Sequence, residues 1–220
     1  MSETKLHIEE FTLGDWMTNC FVVVPQHSDG SSSSACWLVD VGFAPDSMIE
    51  YVKREQLQPQ AVLLTHAHLD HIAGLGAVRK HWPDLPILIH DAEVDFLVDP
   101  MLNLSAMAPV PLVAEPASTG TLSHGEVLDL AGVRCELRHT PGHSPGGLTF
   151  YFPDHEIAIV GDTLFRDGIG RFDFPTSDEA ILMASLREQL MTLPDETRVL
   201  PGHMDETTIG RERKMNPYLV

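Results

Sequence analysis

The chain lacks long apolar runs, paired cysteines and any surplus of basic residues. Each absence removes a class of protein. A membrane-spanning helix needs about 18 or more consecutive apolar residues, and no window approaches that. The opening stretch MSETKLHIEE has no apolar core of the signal-peptide kind, so no export is expected. Only three cysteines occur, Cys20, Cys36 and Cys135, with no paired spacing. They predict reduced thiols and a cytoplasmic location rather than a disulfide framework. Lys and Arg total 14 against 32 Asp and Glu, a net charge of -18 with His neutral. Such a surface repels a phosphate backbone, so neither nucleic acid nor a membrane is an expected partner. A small anionic ligand stays open, because a bound cation reverses the field locally. Oligomeric state leaves no mark in the sequence.

What is present is a chain of 220 residues with 43% apolar and 21% charged side chains. That composition suits one globular domain spanning 1–220 with a sizeable core. Residues 20–25 and 35–41 read as strands, separated by a polar, Gly/Ser-rich loop over 26–34. A helix is expected over 46–57, with Ile49 and Val52 on one face. AVLLT at 61–65 reads as a buried strand, and 70–82 as one helix with Ile72, Leu75, Val78 and Trp82 at helical spacing. ILIH at 87–90 is a further strand. Pro100, Pro109, Pro111 and Pro116 break any long element over 100–120. That segment is either a lid or pocket wall, or a packed Met/Leu-rich loop. Strands return at 126–130, 133–140, 148–152 and 156–162. Thr176 and Glu179 form a capping-box pattern ahead of Leu182, Leu186 and Leu190, and RVLPGH at 198–203 reads as a last strand and tight turn.

Histidine is the abundant residue, with 12 copies. Thr65-His66-Ala67-His68-Leu69-Asp70-His71 sits where a strand ends and a helix begins. A strand alone would alternate these side chains and a helix alone would spread them; the turn between lets them converge. His143 in Thr140-Pro141-Gly142-His143, Asp162 in Val160-Gly161-Asp162 and His203 in Leu200-Pro201-Gly202-His203 each end a strand and follow a glycine. A lone His of this kind is more often a hydrogen-bonded core residue. Three imidazoles and a carboxylate buried together without a cation would be costly. Seven N/O groups exceed what one Zn²⁺ takes, and fit two ions sharing a carboxylate; iron or manganese are other candidates.

These motifs resemble the metallo-β-lactamase-fold hydrolases, from about residue 18 to the end. The resemblance implies an α/β (α+β) chain folded as a four-layer αββα sandwich, with the metals between the edges of two sheets. Asp40 in LVDVG matches an early Asp that lies close behind the metal ligands. GDTLFRDGIGRFDFP (161–175) and TTIGRERKMNP (207–217) are similar to short hydroxyacylglutathione hydrolases, the type II glyoxalase-like proteins. That similarity implies His66, His68 and His143 on a first zinc, Asp70, His71 and His203 on a second, and Asp162 between them. β-Lactamases of this fold usually carry an export signal and a thiol where Asp162 stands, so antibiotic hydrolysis is not expected.

The chain departs from full-length glyoxalase II in two ways. By that resemblance no C-terminal helical domain is expected in it, and Asp173 stands where a glutathione-holding Tyr is usual. Arg166, Arg171, Arg211, Arg213 and Lys214 are candidates for a basic rim around the substrate, with Arg171, Arg211 and Lys214 as the substrate-binding choice; the alternative is solvated surface charge. The expected reaction is thioester hydrolysis by a zinc-activated hydroxide, on substrates such as S-lactoylglutathione. Asp70 would bind metal and orient the nucleophile as the catalytic residue. A thiolate leaves without a dedicated acid, since a free thiol has a pKa of about 8.5. A second reading is a persulfide dioxygenase with one iron on His66, His143 and Asp162, suggested by Gly170-Arg171-Phe172-Asp173-Phe174. The Gly before His203 argues against it, because those enzymes tend to have Ala there. Lactone or phosphodiester hydrolysis on the same centre, or a binding module that has kept the fold, are further alternatives.

Overall fold

The computed structural model describes residues 5–26, 33–114 and 119–220. The loop expected over 26–34 therefore falls mostly outside the described residues.

Strands β1 (Lys5–Leu13), β2 (Thr18–Gln26), β3 (Ala35–Val39), β4 (Gln58–Leu63), β5 (Ile87–His90) and β6 (Thr119–Leu122) form one sheet in sequence order. β1 to β3 are antiparallel; β3 to β6 run parallel. Helices α1 (Asp46–Arg54), α2 (Leu69–Ile72) and α3 (Leu75–His81) fall within the crossovers that parallel pairing requires. The second sheet holds β7 (Val127–Leu130), β8 (Val133–His139), β9 (Leu148–Phe152) and β10 (Ile157–Gly161) as an antiparallel meander. After a short hairpin of β11 (Leu164–Phe165) and β12 (Gly168–Ile169) comes helix α4 (Glu179–Ser185). β13 (Arg198–Pro201) then adds parallel to β10, and β14 (Thr207–Thr208) closes that edge ahead of helix α5 (Ile209–Met215).

Side-chain alternation sorts the residues into layers. Phe21, Val23, Trp37, Val39 and Leu63 of the first sheet pack against Leu137, Phe150, Phe152, Ile159 and Leu200 of the second. Their neighbours Cys20, Val22, Cys36, Leu38 and Val62 face outward onto Met48, Ile49, Val52, Leu75 and Val78 of α1 and α3. Tyr151, Ala158, Val160 and Val199 face the other way, onto Leu182, Leu186, Leu190 and Ile209. The result is the expected αββα sandwich. A one-residue slip in any of these strands would exchange its two faces. Since burying one such side chain contributes about 1.5–3 kcal/mol, register is strongly specified.

Several expectations are corrected. The helix expected over 70–82 is two short helices broken at Ala73–Gly74. Gly74 packs so closely on Val41 and Gly42 that a Cβ there would collide with both, and its N–H donates to the Val41 carbonyl. The cap of α4 is Asp178, whose side chain accepts from the Ile181 N–H, while Thr176 Oγ1 is buried with no hydrogen-bond partner. Leu182, Leu186 and Leu190 are fully buried as expected, although the second half of that segment is a π-turn over Leu186–Leu190. β1 was not legible because it is a half-exposed outer strand. Among the described residues, no helix is long and apolar enough to cross a membrane.

Candidate metal centre

All four sequence motifs begin at the C-terminal ends of strands on one edge of the sandwich. Thr65–His71 follows β4, His143 follows β8, Asp162 follows β10 and His203 follows β13. Backbone hydrogen bonds stitch these loops together across the sheets: Leu148 N–H to the Thr65 carbonyl at 2.8 Å, and Asn19 N–H to the Gly202 carbonyl at 2.7 Å. Two glycines before motif residues are needed for different reasons. Gly142 has φ +128°, which L side chains rarely adopt. A Cβ on Gly202 would press on Asp162 and His71.

The seven side chains do converge. His66, His68 and His143 offer ligand atoms within 4.8 Å of one another, as do Asp70, His71 and His203, and His66, His71 and Asp162. His68 Nδ1 and His143 Nε2 are 2.9 Å apart. Asp70 Oδ2 lies 3.1 Å from His203 Nε2 and 3.5 Å from His71 Nε2. Asp162 reaches both groups: Oδ1 is 3.4 Å from His71 Nε2, and Oδ2 is 3.6 Å from His143 Nε2 and 3.5 Å from His203 Nε2. That is the position a shared carboxylate needs.

The donor set fits a pair of cations. His66 Nε2, His71 Nε2 and Asp162 Oδ1 are buried with no hydrogen-bond partner. Each unpaired buried group costs about 1–3 kcal/mol, so three together are hard to sustain unless something binds there. The neighbouring groups also aim lone pairs inward. His143 Nδ1 lies 2.8 Å from the Arg171 carbonyl, which only accepts, so Nδ1 carries the proton and Nε2 is free. His71 Nδ1 donates to Asp40 Oδ2 at 2.8 Å. Asp40 is itself fixed by the Thr65 N–H at 2.8 Å and Thr65 Oγ1 at 2.7 Å. Thr65 Oγ1 lies 3.1 Å from His66 Nδ1 and accepts that proton in turn. Such partners orient metal-binding imidazoles and set their tautomer.

Electrostatics divide the histidines: His66, His68 and His143 are held neutral, while His71 among the carboxylates is not. Burial, and then the other imidazoles, hold His66 well below the usual histidine range. Burial and His143 take His68 down to about 3, and burial also lowers His143. Neutral imidazole is the form that binds metal. Around His71 burial alone would favour the neutral ring, but the carboxylates of Asp70, Asp162 and Asp40 outweigh it and raise its pKa. Asp70 and Asp162 are held ionised below their ordinary range: burial opposes this, and His71, His203 and, for Asp70, the Thr18 hydroxyl overcome it.

Two supporting residues carry no sequence signal. Thr18 Oγ1 donates to Asp70 Oδ2 at 2.7 Å across 52 residues of chain. Glu93, fully buried, accepts from the Ala67 N–H at 2.6 Å and the Gly146 N–H at 2.7 Å. Its carboxylate thus clamps the loop carrying His66 and His68 to the loop carrying His143.

The centre forms the floor of an open cavity of about 1090 Å³. Leu104 and Met107–Leu112 make one wall, so the Pro-rich segment is a pocket wall. The basic rim is not assembled. Arg171 alone of the five candidates lines the cavity, and it is held by Asp173 through two hydrogen bonds of 2.9 Å. Arg211 pairs with Asp167 and Glu212, Arg166 with Asp205 and Arg213 with Asp195. Arg211 and the exposed Lys214 lie outside the cavity lining because both sit on α5.

The chain is similar to three known proteins. The hydroxyacylglutathione hydrolase GloC of Haemophilus influenzae is 30% identical over 97% of this chain and 98% of its own. The crystal structure of the B3 metallo-beta-lactamase BLEG-1 is 35% identical, covers 97% of this chain and all of its own, and superposes with a TM-score of 0.88. TTHA1623, solved in a di-iron-bound form, is 35% identical over 96% of this chain and all of its own, with a TM-score of 0.81. The sequence pattern of one family spans residues 13–203. The chain belongs to the metallo-beta-lactamase superfamily.

Proposed function

We propose that this chain is a dinuclear metal-dependent hydrolase acting on thioesters of the hydroxyacylglutathione type. One observation carries the proposal: two triads of ligand atoms, with Asp162 reaching both, on the floor of an open cavity. His66, His68 and His143 would hold one Zn²⁺, and Asp70, His71 and His203 the other. Zinc held there would supply Lewis acidity, lowering the pKa of a water to about 7 and polarising a carbonyl. The chain's own groups then set the geometry. Thr18 donates to Asp70 Oδ2 and fixes the carboxylate, so that one oxygen would face the second ion and the other would accept a hydrogen bond from the attacking water. The thiolate departs without a general acid, and none of the motifs provides a spare histidine for that role.

The name of GloC supports the thioester reading, and the description of BLEG-1 adds a second, β-lactam hydrolysis. The di-iron neighbour makes metal identity part of the test. Protein of measured metal content is assayed with S-lactoylglutathione, a lactone, nitrocefin and glutathione persulfide. Near two zinc ions per chain with thioester turnover is the expected result. One iron per chain with oxygen uptake on the persulfide would overturn it, and nitrocefin as the best substrate would favour the lactam reading.

A further inference from the structure

The wall of the cavity is apolar, and its one cation is engaged elsewhere. Trp16 and Phe43 meet edge to face with ring centroids 6.0 Å apart on one side. Met107 and Val110, 92% and 79% exposed, line it with Phe165 and Phe174. Apolar side chains this exposed and contiguous mark a binding surface rather than a folding requirement. Among the described residues, and apart from the five metal-centre residues that reach the floor, Arg171 is the only charged residue lining the cavity. Its guanidinium is doubly hydrogen-bonded to Asp173 and lies 4.4 Å above the Phe174 ring. A glutathione conjugate brings two carboxylates into this space, and they find no unengaged cation there.

Resting on the thioester part of that reading and departing from its glutathione part, we propose that this cavity selects substrates by an apolar acyl chain, and that a neutral thioester with a linear chain fits it better than a glutathione conjugate. The occupant is fixed by continuity. His68, Asp70, His143, Asp162 and His203 line the same cavity as Trp16 and Val110, so whatever lies along the wall is attached to the carbonyl held at the floor. Chain length should then be read directly in turnover. Each methylene moved from water onto such a wall raises kcat/KM by up to about fourfold.

The test uses the metal-loaded full chain with S-acyl-N-acetylcysteamines from acetyl to octanoyl, and S-lactoylglutathione for comparison. The expected result is kcat/KM rising about two- to fourfold per methylene, with octanoyl above S-lactoylglutathione. Val110→Lys should flatten the series. A flat or falling series, or S-lactoylglutathione as the preferred substrate, overturns the proposal. A binding readout keeps the two levels separate. Trp16 fluorescence is titrated with uncleavable S-alkyl-N-acetylcysteamines, with Trp16→Phe as the control that removes the signal. If no thioester is cleaved, the hydrolytic reading falls, yet saturable quenching that tightens with chain length still supports an alkyl-binding cavity. No quenching overturns it. Concentration-dependent dimerisation abolished by Val110→Lys would give the wall to a second copy of the chain and also overturn it.

Discussion

Glu93→Gln tests whether a buried carboxylate outside the ligand set governs the metal centre. The substitution keeps the shape and removes one acceptor. In the native chain Oε2 takes the Ala67 N–H and Oε1 the Gly146 N–H. An amide can accept only one of them and must turn its own N–H groups on the other. One hydrogen bond to a charged group is lost, worth about 1.5–3 kcal/mol, and a buried N–H is left unpaired at about 1–3 kcal/mol. Burial raises the Glu93 pKa, and the Ala67 and Gly146 hydrogen bonds pull it back only in part. The charged form is therefore stabilised less than an ideal carboxylate, and the lower end, about 3 kcal/mol, is the better figure. Domain stability is about 5–15 kcal/mol, so the variant still folds. At about 2–4 °C per kcal/mol for a chain of this size, its Tm should fall by about 6–12 °C. Lost stability alone would weaken both cation sites alike. A positioning role predicts asymmetry: affinity at His66, His68 and His143 falls by about 10–100-fold, while Asp70, His71 and His203 stay near wild type. Calorimetry gives the first number and competitive chelator titration the second. A Tm within about 2 °C of wild type, with both affinities unchanged, refutes the reasoning.

Other expectations are simpler. Asp70→Ala should lower metal content from near two to near one ion per chain and cut turnover by about 10²-fold or more; unchanged hydrolysis removes Asp70 from its assigned role. Asp173→Asn frees the Arg171 guanidinium from its paired carboxylate, and should lower KM for S-lactoylglutathione severalfold with kcat little changed. An unmoved KM would show that Arg171 does not meet the substrate. The three cysteines are fully buried, and burial pushes the Cys36 thiol up to about 12 and raises Cys20 and Cys135 as well. Thiols with raised pKa stay protonated and unreactive at pH 8. DTNB should therefore label none in the native chain and all three in guanidinium; rapid native labelling would contradict the burial.

The candidate cluster was legible because its signals are local. His66, His68, Asp70 and His71 crowd into six residues, and each remaining motif is a strand, a glycine and a donor. The sandwich was legible by resemblance, and its layers follow from alternation at Phe21/Val22 or Ile159/Val160. What was not legible depends on contacts across the chain. Thr18 meets Asp70 over 52 residues and Glu93 meets Gly146 over 53, and neither carries a motif. The break between α2 and α3 is imposed by Val41 and Gly42 pressing on Gly74, so helical spacing alone runs through it. The basic rim failed for a local reason. Arg171 is followed two residues later by Asp173, and Arg211 by Glu212; in a chain with 32 acids against 14 bases, most cations are engaged before a substrate arrives.

The division of ligands between the sheets has an energetic consequence. His66, His68, Asp70 and His71 hang from one loop after β4 in the first sheet; His143, Asp162 and His203 hang from three loops of the second. Neither half holds a complete triad, so the centre exists only when the two inner faces are packed. A cation shared between the halves would bind the native state and not the unfolded chain, and would stabilise the sandwich by mass action. The converse follows as well. Phe150 and Leu63 meet in the core between the sheets, and trimming either leaves a cavity that lets the two ligand loops drift. Core packing far from the cavity wall would thereby reach the candidate centre, through the spacing between His68 and His143.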